Sequence, residues 1–443
     1  MNLIIIGGGI SGLFMAYLAK KNKNYSNITI IERTENIGGL LQGFHYPEGR
    51  YFDKGTHLFR ESGIKVIDDF LTSSFEESSM FYLPNHAYSG CIFNGKLQNY
   101  SHYPFTTDNY IRTATIDHLK NCRHQYNYEN LRSYCYTAFG SEYSDRVLLP
   151  IAEKIYNRSS EDLSHDALKI IGQDRFLSAN HDEWKCISSV SSLIAYPDQE
   201  NLPEHIKNPY RRVYSKKQGT YSFVIGIANS LRSQGVNILT KKEIVSLDKN
   251  SIRFTDGNQI KILEFDKLAF ATNIFATSKI LGIRFPHVKH DKPLQHYVFN
   301  LELSKTPTSK LSFFYNFDSL KNFFRVTNYS RITDNSHDQR LSVEILAGDE
   351  AHINSKSTRQ CLSELKHVGF IDDETEVIFE RIEHLESGFP MLTNKNKDFI
   401  SLLNTSVTKH AGEHFFLGRD EDHPPFLQND VLRSICKYFP RYL

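Results

Sequence analysis

Asn2–Ile6 reads NLIII, an almost unbroken apolar run and the pattern of a short strand covered on both faces in a parallel sheet. A glycine-rich turn follows from Gly7 to Gly12. Leu13, Ala16, Tyr17 and Leu18 then recur at helical spacing across Ile10–Lys21, and Asn27–Glu32 returns to a strand-like run. This pattern predicts a β-α-β unit of about thirty residues.

From about Tyr103 to Trp184 the periodicity becomes helical, in YENLRSYCYTAFG and VLLPIAEKIYNRSSEDLSHDALKII, and predicts a helical insertion. GTYSFVIGIANSLRSQG predicts a helix ended by Gly235, followed by strands in VNILTKKEIVSLDKN, SIRFTDG and KLAFATN. Further strands are predicted in LQHYVFNLELS, KLSFFYNF, FFRVTNYS and RLSVEILA, a helix in STRQCLSELKHVGF, a strand in HFFLGRD and a last helix over Asn429–Tyr438. With no internal repeat or low-complexity linker, the domains must interleave.

Composition narrows the classes. At 443 residues the chain is long enough for two domains. It is 40% hydrophobic and 23% charged, the balance of a soluble globular protein. With 52 basic and 51 acidic residues, no global field recruits nucleic acid or an anionic membrane. The six cysteines (Cys91, Cys122, Cys135, Cys186, Cys361, Cys436) form no C-x-x-C pair, which argues against a zinc ribbon, an iron–sulfur site or a disulfide framework and predicts a reducing, cytoplasmic setting. The opening apolar stretch fails as a signal peptide, having no basic segment before it, and as a membrane span, because Lys20 and Lys21 end it too early. His287/His290 and His410/His414 lack a Glu or Cys to complete a metal site, so no metal is expected.

The chemistry is concentrated at the first turn. Gly7, Gly9 and Gly12 form G-x-G-x-x-G between strand and helix: the first glycine allows the tight turn, the second lets a pyrophosphate approach the backbone, and the third lets helix and strand pack closely. Ile10 and Ser11 open a helix whose free N–H groups favour phosphate. Glu32, at the end of the second strand and followed by Arg33, is placed to accept hydrogen bonds from a ribose diol and to disfavour a 2′-phosphate. The expected ligand is therefore the ADP moiety of FAD or NAD.

IIERTENIGGLLQGF continues the motif into Gly38, Gly39 and Leu40, and here the chain resembles the FAD-binding superfamily of amine oxidases, protoporphyrinogen oxidase, phytoene desaturases and UDP-galactopyranose mutase. YFDKGTHLFRE is similar to its D-x-G-x-H-x-F segment (Asp53, Gly55, His57, Phe59), and FNGKLQNY resembles a G-K-L stretch of the sugar mutases. EKIYNRSSEDLS resembles a K-x-W-G segment, with Tyr156 for the Trp and Asn157 for the Gly. KEIVSLDKN places Val245 where the family sets backbone against adenine, and FFLGRDEDHPPFLQND resembles the terminal G-R segment, giving Gly418 and Arg419.

The resemblance implies an α/β fold in which a Rossmann-like FAD-binding domain of the glutathione-reductase type (1–75, 205–285, 385–443) interleaves with a substrate domain of mixed sheet plus helical insertion (76–204, 286–384). It implies FAD as cofactor and a small-molecule substrate, with a nucleotide-activated sugar for surface polysaccharide synthesis as the leading reading. By analogy His57 lies beside the flavin, and Arg175 or Arg419 holds a diphosphate. Tyr156, Arg175, Tyr214 and Lys217 are substrate-side candidates, the last two from NPYRRVYSKKQG, where tyrosines alternate with cations. An amine oxidase, porphyrinogen oxidase or desaturase is the alternative reading, and a non-catalytic flavoprotein subunit a third. No nucleic acid or membrane span is expected as partner, and homodimer formation is left open.

Overall fold

The computed structural model describes residues 1–72, 80–83, 88–121, 128–189, 191–207, 210–215, 219–285, 287–319, 322–348, 353–417 and 428–439. The chain forms two compact units, one from 1–82, 210–289 and 398–443 and the other from 83–209 and 290–397.

The first unit is built on a parallel five-stranded sheet. β1 (Asn2–Ile6) lies at its centre and runs through the glycine turn into α1 (Ile10–Lys21), which returns the chain to β2 (Asn27–Ile31). The strand Asn237–Leu239 pairs outside β2, and Lys267–Phe270 and then Phe415–Phe416 extend the other side. Strand alternation sends side chains to opposite faces. Leu3, Ile5, Ile28 and Ile30 pack with α1 and the helices Gly219–Ser233 and Gln428–Cys436. Ile4, Ile6 and Ile31 pack instead with Ile252 and Phe254 of a three-stranded antiparallel sheet, and with Phe399, Leu403 and Val407. Both faces of β1 are thus covered, as its continuous apolar run requires.

The second unit holds a mixed seven-stranded sheet in the order Val377–Phe389, Leu294–Leu303, Arg340–Ala347, Arg325–Asn328, Phe313–Asn316, Ser89–Phe93, Lys96–Gln98. Phe299, Leu301, Val343 and Ile345 pack on Cys361 and Leu365 of the helix Ser355–His367. Other sheet residues, among them Leu294 and Phe324, join the helical insertion, which includes Asn109–Asn121, Leu131–Phe139 and Leu149–Tyr156.

The architecture is the α/β arrangement expected, with a Rossmann-like sheet in one unit and a mixed sheet with a helical insertion in the other. Two long elements differ from the sequence reading, which assigned no structure to the strand Val377–Phe389 or the helix Asn394–Ala411. Among the described residues no helix is long and apolar enough to cross a membrane, and no cluster of His, Cys, Asp and Glu could hold a metal ion.

Candidate functional site

The glycine turn of the first unit is a backbone cradle. Gly7 adopts φ +106°, a region that side chains with a Cβ avoid, and its N–H donates to the Ile31 carbonyl at 2.9 Å. A Cβ on Gly12 would lie 2.0 Å from the Gly7 oxygen, so α1 packs this closely on the turn only with glycine there. A Cβ on Gly9 would meet nothing within 4 Å. Gly9 is the N-cap of α1, with no side chain capping the helix, and among the described residues no acceptor is present for the N–H groups of Ile10, Ser11 or Gly12. Unused donors at a helix start, facing open space, suit an anion.

The second glycine pair closes on the first. Gly38 N–H donates to the Gly8 carbonyl at 2.8 Å, and Gly9 and Gly38 form an isolated parallel bridge. Gly38 and Gly39 both take positive φ, +109° and +58°, and Leu40 beside them is 56% exposed. Glu32 is held at the mouth of the turn: one carboxylate oxygen accepts from Gly8 N–H at 2.7 Å, the other from the Thr34 N–H and hydroxyl, both at 2.8 Å. The first oxygen keeps a lone pair for a ribose hydroxyl. Arg33 is exposed next to it. This chain's residues therefore fit a dinucleotide: Gly9, Ile10 and Ser11 would meet the pyrophosphate and Glu32 the ribose.

Val245, 52% exposed, sits at a register shift between Ile244 and Ser246, soon after a turn in which Lys242 N–H donates to the Glu32 carbonyl at 2.9 Å. His57 is partly buried, and its Nε2 lies 3.1 Å from the Lys54 carbonyl. The Asp53 carboxylate of the same motif is a structural hub. It is 1% exposed and accepts from Tyr51 Oη at 2.6 Å, Thr220 Oγ1 at 2.9 Å, Thr220 N–H at 3.2 Å and Tyr214 Oη. Tyr214, expected on the substrate side, is 1% exposed, with its hydroxyl bonded to Asp53; a phenol this buried stays where its hydroxyl is satisfied. Gly418, Arg419 and Lys217 lie outside the described residues.

In the second unit Tyr156 is fully buried, and its hydroxyl donates to the Ala167 carbonyl at 2.9 Å. This ring, expected on the substrate side, is packed within protein. Asn157 ends that helix in the left-handed region (φ 49°, ψ 45°), a conformation that glycine, and after it asparagine, adopts at least cost. Lys154 Nζ donates to the carbonyls of Asn316 and Phe323 at 2.5 and 3.2 Å. Arg175 keeps a side chain 34% exposed while donating to the Asp174 carbonyl and carboxylate, both at 2.8 Å. Burial pushes the Asp174 carboxyl upward, partly offset by Arg175 and by the Tyr134 hydroxyl at 3.0 Å.

Sequence reasoning missed a second charged group on the mixed sheet. Glu344, wholly buried, receives Arg325 in a fork (Nε–Oε1 2.7 Å, Nη2–Oε2 2.8 Å) and His296 Nε2 at 3.0 Å. Burial alone would raise the Glu344 carboxyl; the Arg325 charge and the hydrogen bonds from His296 and Arg325 outweigh it and hold the group well below the usual carboxylate range. The Arg325 guanidinium also lies 5.7 Å from the Phe324 ring and 5.9 Å from Tyr315.

Residues 5–72 match a family model described as an NAD(P)-binding Rossmann-like domain. No curated protein matches the chain by sequence. Among solved structures it is similar to a reduced UDP-galactopyranose mutase (TM-score 0.74, 16% identity, covering 99% of this chain and 96% of that one). It is also similar to a putative protoporphyrinogen oxidase from Exiguobacterium sp. 255-15 (0.69, 14%, 99% and 98%) and to cyclohexylamine oxidase from Brevibacterium oxydans IH-35A (0.61, 14%, 100% and 98%). With the glycine cradle at its N-terminal β-α-β unit, the chain carries a Rossmann-like domain and shares the fold of these solved structures over its whole length.

Proposed function

We propose that this chain is an FAD-dependent enzyme, an oxidoreductase or flavin-dependent mutase, acting on a nucleotide-activated sugar. The observation that carries the cofactor reading is Gly9, where the start of α1 offers N–H donors that no group among the described residues takes, and open space in place of a side chain. When bound, the flavin would supply the redox or nucleophilic chemistry. The protein's own residues do the rest: the α1 start neutralises the pyrophosphate, Glu32 orients the ribose, the Gly38–Gly39 segment shapes the approach beside Gly9, and Arg175 offers its exposed edge to an anionic substrate. Likeness to UDP-galactopyranose mutase supports the sugar reading.

The test is an absorption spectrum of purified protein, followed by dithionite reduction and a panel of nucleotide sugars with product analysis under nitrogen and in air. Flavin bands with turnover only after reduction support the mutase reading. Substrate-dependent bleaching of the oxidised form points instead to an amine oxidase, porphyrinogen oxidase or desaturase. A colourless protein that FAD cannot reconstitute overturns the proposal.

A further inference from the structure

In the first unit the short strand Phe59–Arg60 pairs antiparallel with Arg212–Ser215, and Arg60 stands directly opposite Arg212. Glu61 N–H donates to the Arg211 carbonyl at 2.9 Å, which makes Arg60 and Arg212 a non-hydrogen-bonded pair, the kind whose side chains approach most closely. Like charges facing each other in this way repel. A third arginine joins them from the helix Gln428–Cys436, which is tied to the same segment at two points. Asn429 Nδ2 donates to the Arg60 carbonyl at 3.0 Å, and Arg433 Nη2 donates to the Ser62 carbonyl at 2.8 Å. Burial, and after it the charge of Arg433, lowers the Arg60 guanidinium from its ordinary value, although an arginine remains charged.

Among the described residues no acid offsets Arg60 or Arg433. Glu61 is taken by Arg211, through Nε at 2.9 Å and Nη2 at 2.6 Å, and Asp68 accepts from Ser62 and Gly63 N–H at 2.6 and 3.1 Å. Asp430, three residues before Arg433 on the helix, makes no ion pair with it. The half-buried Arg60 guanidinium meets no acceptor among the described residues, and a charge so placed is costly. Arg433 is exposed and spends only one of its five N–H groups on Ser62, so the cluster opens to solvent on its side with donors to spare.

We propose that Arg60 and Arg433, with Arg212 opposite, form a binding site for a phosphoryl group. A phosphoryl group brings oxygens for more than one guanidinium fork and enough charge to offset neighbouring cations, whereas a carboxylate has two oxygens and a single charge. The site uses none of the residues of the glycine cradle and does not depend on the flavin or sugar readings above. Free phosphate and the diphosphate of a nucleotide share this chemistry.

The experiment is titration calorimetry of the protein as purified, with inorganic phosphate and, separately, UDP as probes, and sodium chloride holding the ionic strength constant. At least one probe should bind wild type, and its affinity should fall roughly tenfold or more in Arg60→Met and in Arg433→Gln. The probe that shows this dependence identifies the source of the phosphoryl group. Arg211→Gln removes a nearby charge that is already paired, and should leave that affinity within about twofold. Without ligand, Arg60→Met should melt at or above the wild-type temperature, because Met keeps the apolar stem and relieves the repulsion. A merely structural arginine would destabilise on removal, so failure of this variant to fold overturns the inference. Binding of neither probe to wild type, or binding that survives both Arg60→Met and Arg433→Gln, also overturns it. Flavin retained by wild type but lost in Arg60→Met would assign Arg60 to the cofactor instead and overturn the separate site.

Discussion

The backbone of Gly38 is hydrogen-bonded to that of Gly8 at 2.8 Å, so two glycine segments thirty residues apart in the sequence form one surface. The glycines of that surface do different work, and substitution separates them. Gly9→Val projects into open space: compared as flavin-free proteins, variant and wild type should melt within about 1 °C of each other, while flavin retention is lost because the side chain fills the place proposed for the pyrophosphate. Gly12→Ala should do the reverse, costing about 3 kcal/mol of stability through its clash with the Gly7 oxygen. Chemical denaturation and the flavin-to-protein absorbance ratio read the two effects independently, and equal losses in both variants would contradict the division.

Asp53 ties three segments of the first unit together. Asp53→Ala strands the Tyr51 and Tyr214 hydroxyls and the Thr220 donors, and is expected to destabilise by roughly 3 kcal/mol. Gly219→Ala should be similarly damaging, since its φ is +54° and a Cβ would stand 2.5 Å from the Asp53 carboxylate. Urea unfolding followed by circular dichroism checks both; a change below about 0.5 kcal/mol for either is outside the expectation.

Tyr156→Phe removes one buried hydroxyl whose partner is a carbonyl, and should cost about 1 kcal/mol without altering substrate affinity. Asn157→Gly, at the left-handed position that follows, should be neutral or slightly stabilising, whereas Asn157→Ala should cost about 1 kcal/mol. A changed KM in Tyr156→Phe with unchanged stability would return this ring to the substrate site.

Two buried carboxylates impose opposite pH dependences on the second unit. Glu344 is lowered from 4.5 in the folded state, so its stabilisation is complete above that value and is lost progressively as pH falls toward the folded value. Asp174 is raised from 3.8, so the folded chain holds its proton more tightly, and stability declines as pH rises from 3.8 through the folded value. Asp174→Asn should therefore flatten the decline above pH 3.8 and leave the acid limb set by Glu344. Thermal melts from pH 3 to 7 distinguish the two; a profile unchanged by Asp174→Asn would show that its carboxylate is not the cause.

The cradle was legible because its signals are local: an apolar run, three glycines at fixed spacing and a carboxylate at the end of the next strand. The sheet trio was not. In RLSVEILA the alternation of Leu341, Val343 and Ile345 with Ser342 and Glu344 reads as one buried and one wet face, yet Ser342 and Glu344 are both fully buried, their polarity satisfied by residues distant in sequence. The helix Asn394–Ala411 escaped for a related reason. Its buried residues Phe399, Leu403, Val407 and Ala411 make a single narrow stripe at spacings of four in an otherwise polar segment. The strand Val377–Phe389 lies at the sheet edge, where Glu380, Arg381, Glu383 and Glu386 are tolerated, so it lacks the apolar run of a central strand.

The parallel sheet of the first unit draws its strands from segments separated by most of the chain, and Phe415–Phe416 at one edge, with Leu432 and Ile435 beneath the sheet, come from a segment that follows both stretches of the other unit. On the ribosome, β1, α1 and β2 emerge before that segment and must wait, with one side of the apolar sheet unclosed, while both stretches of the other unit are made. The glycine cradle can therefore be assembled early, whereas the core layer holding Leu432 and Ile435 closes only tens of seconds later at ordinary elongation rates of about 5–20 residues per second. Early capture of the cofactor would give the waiting strands a reason to stay in register.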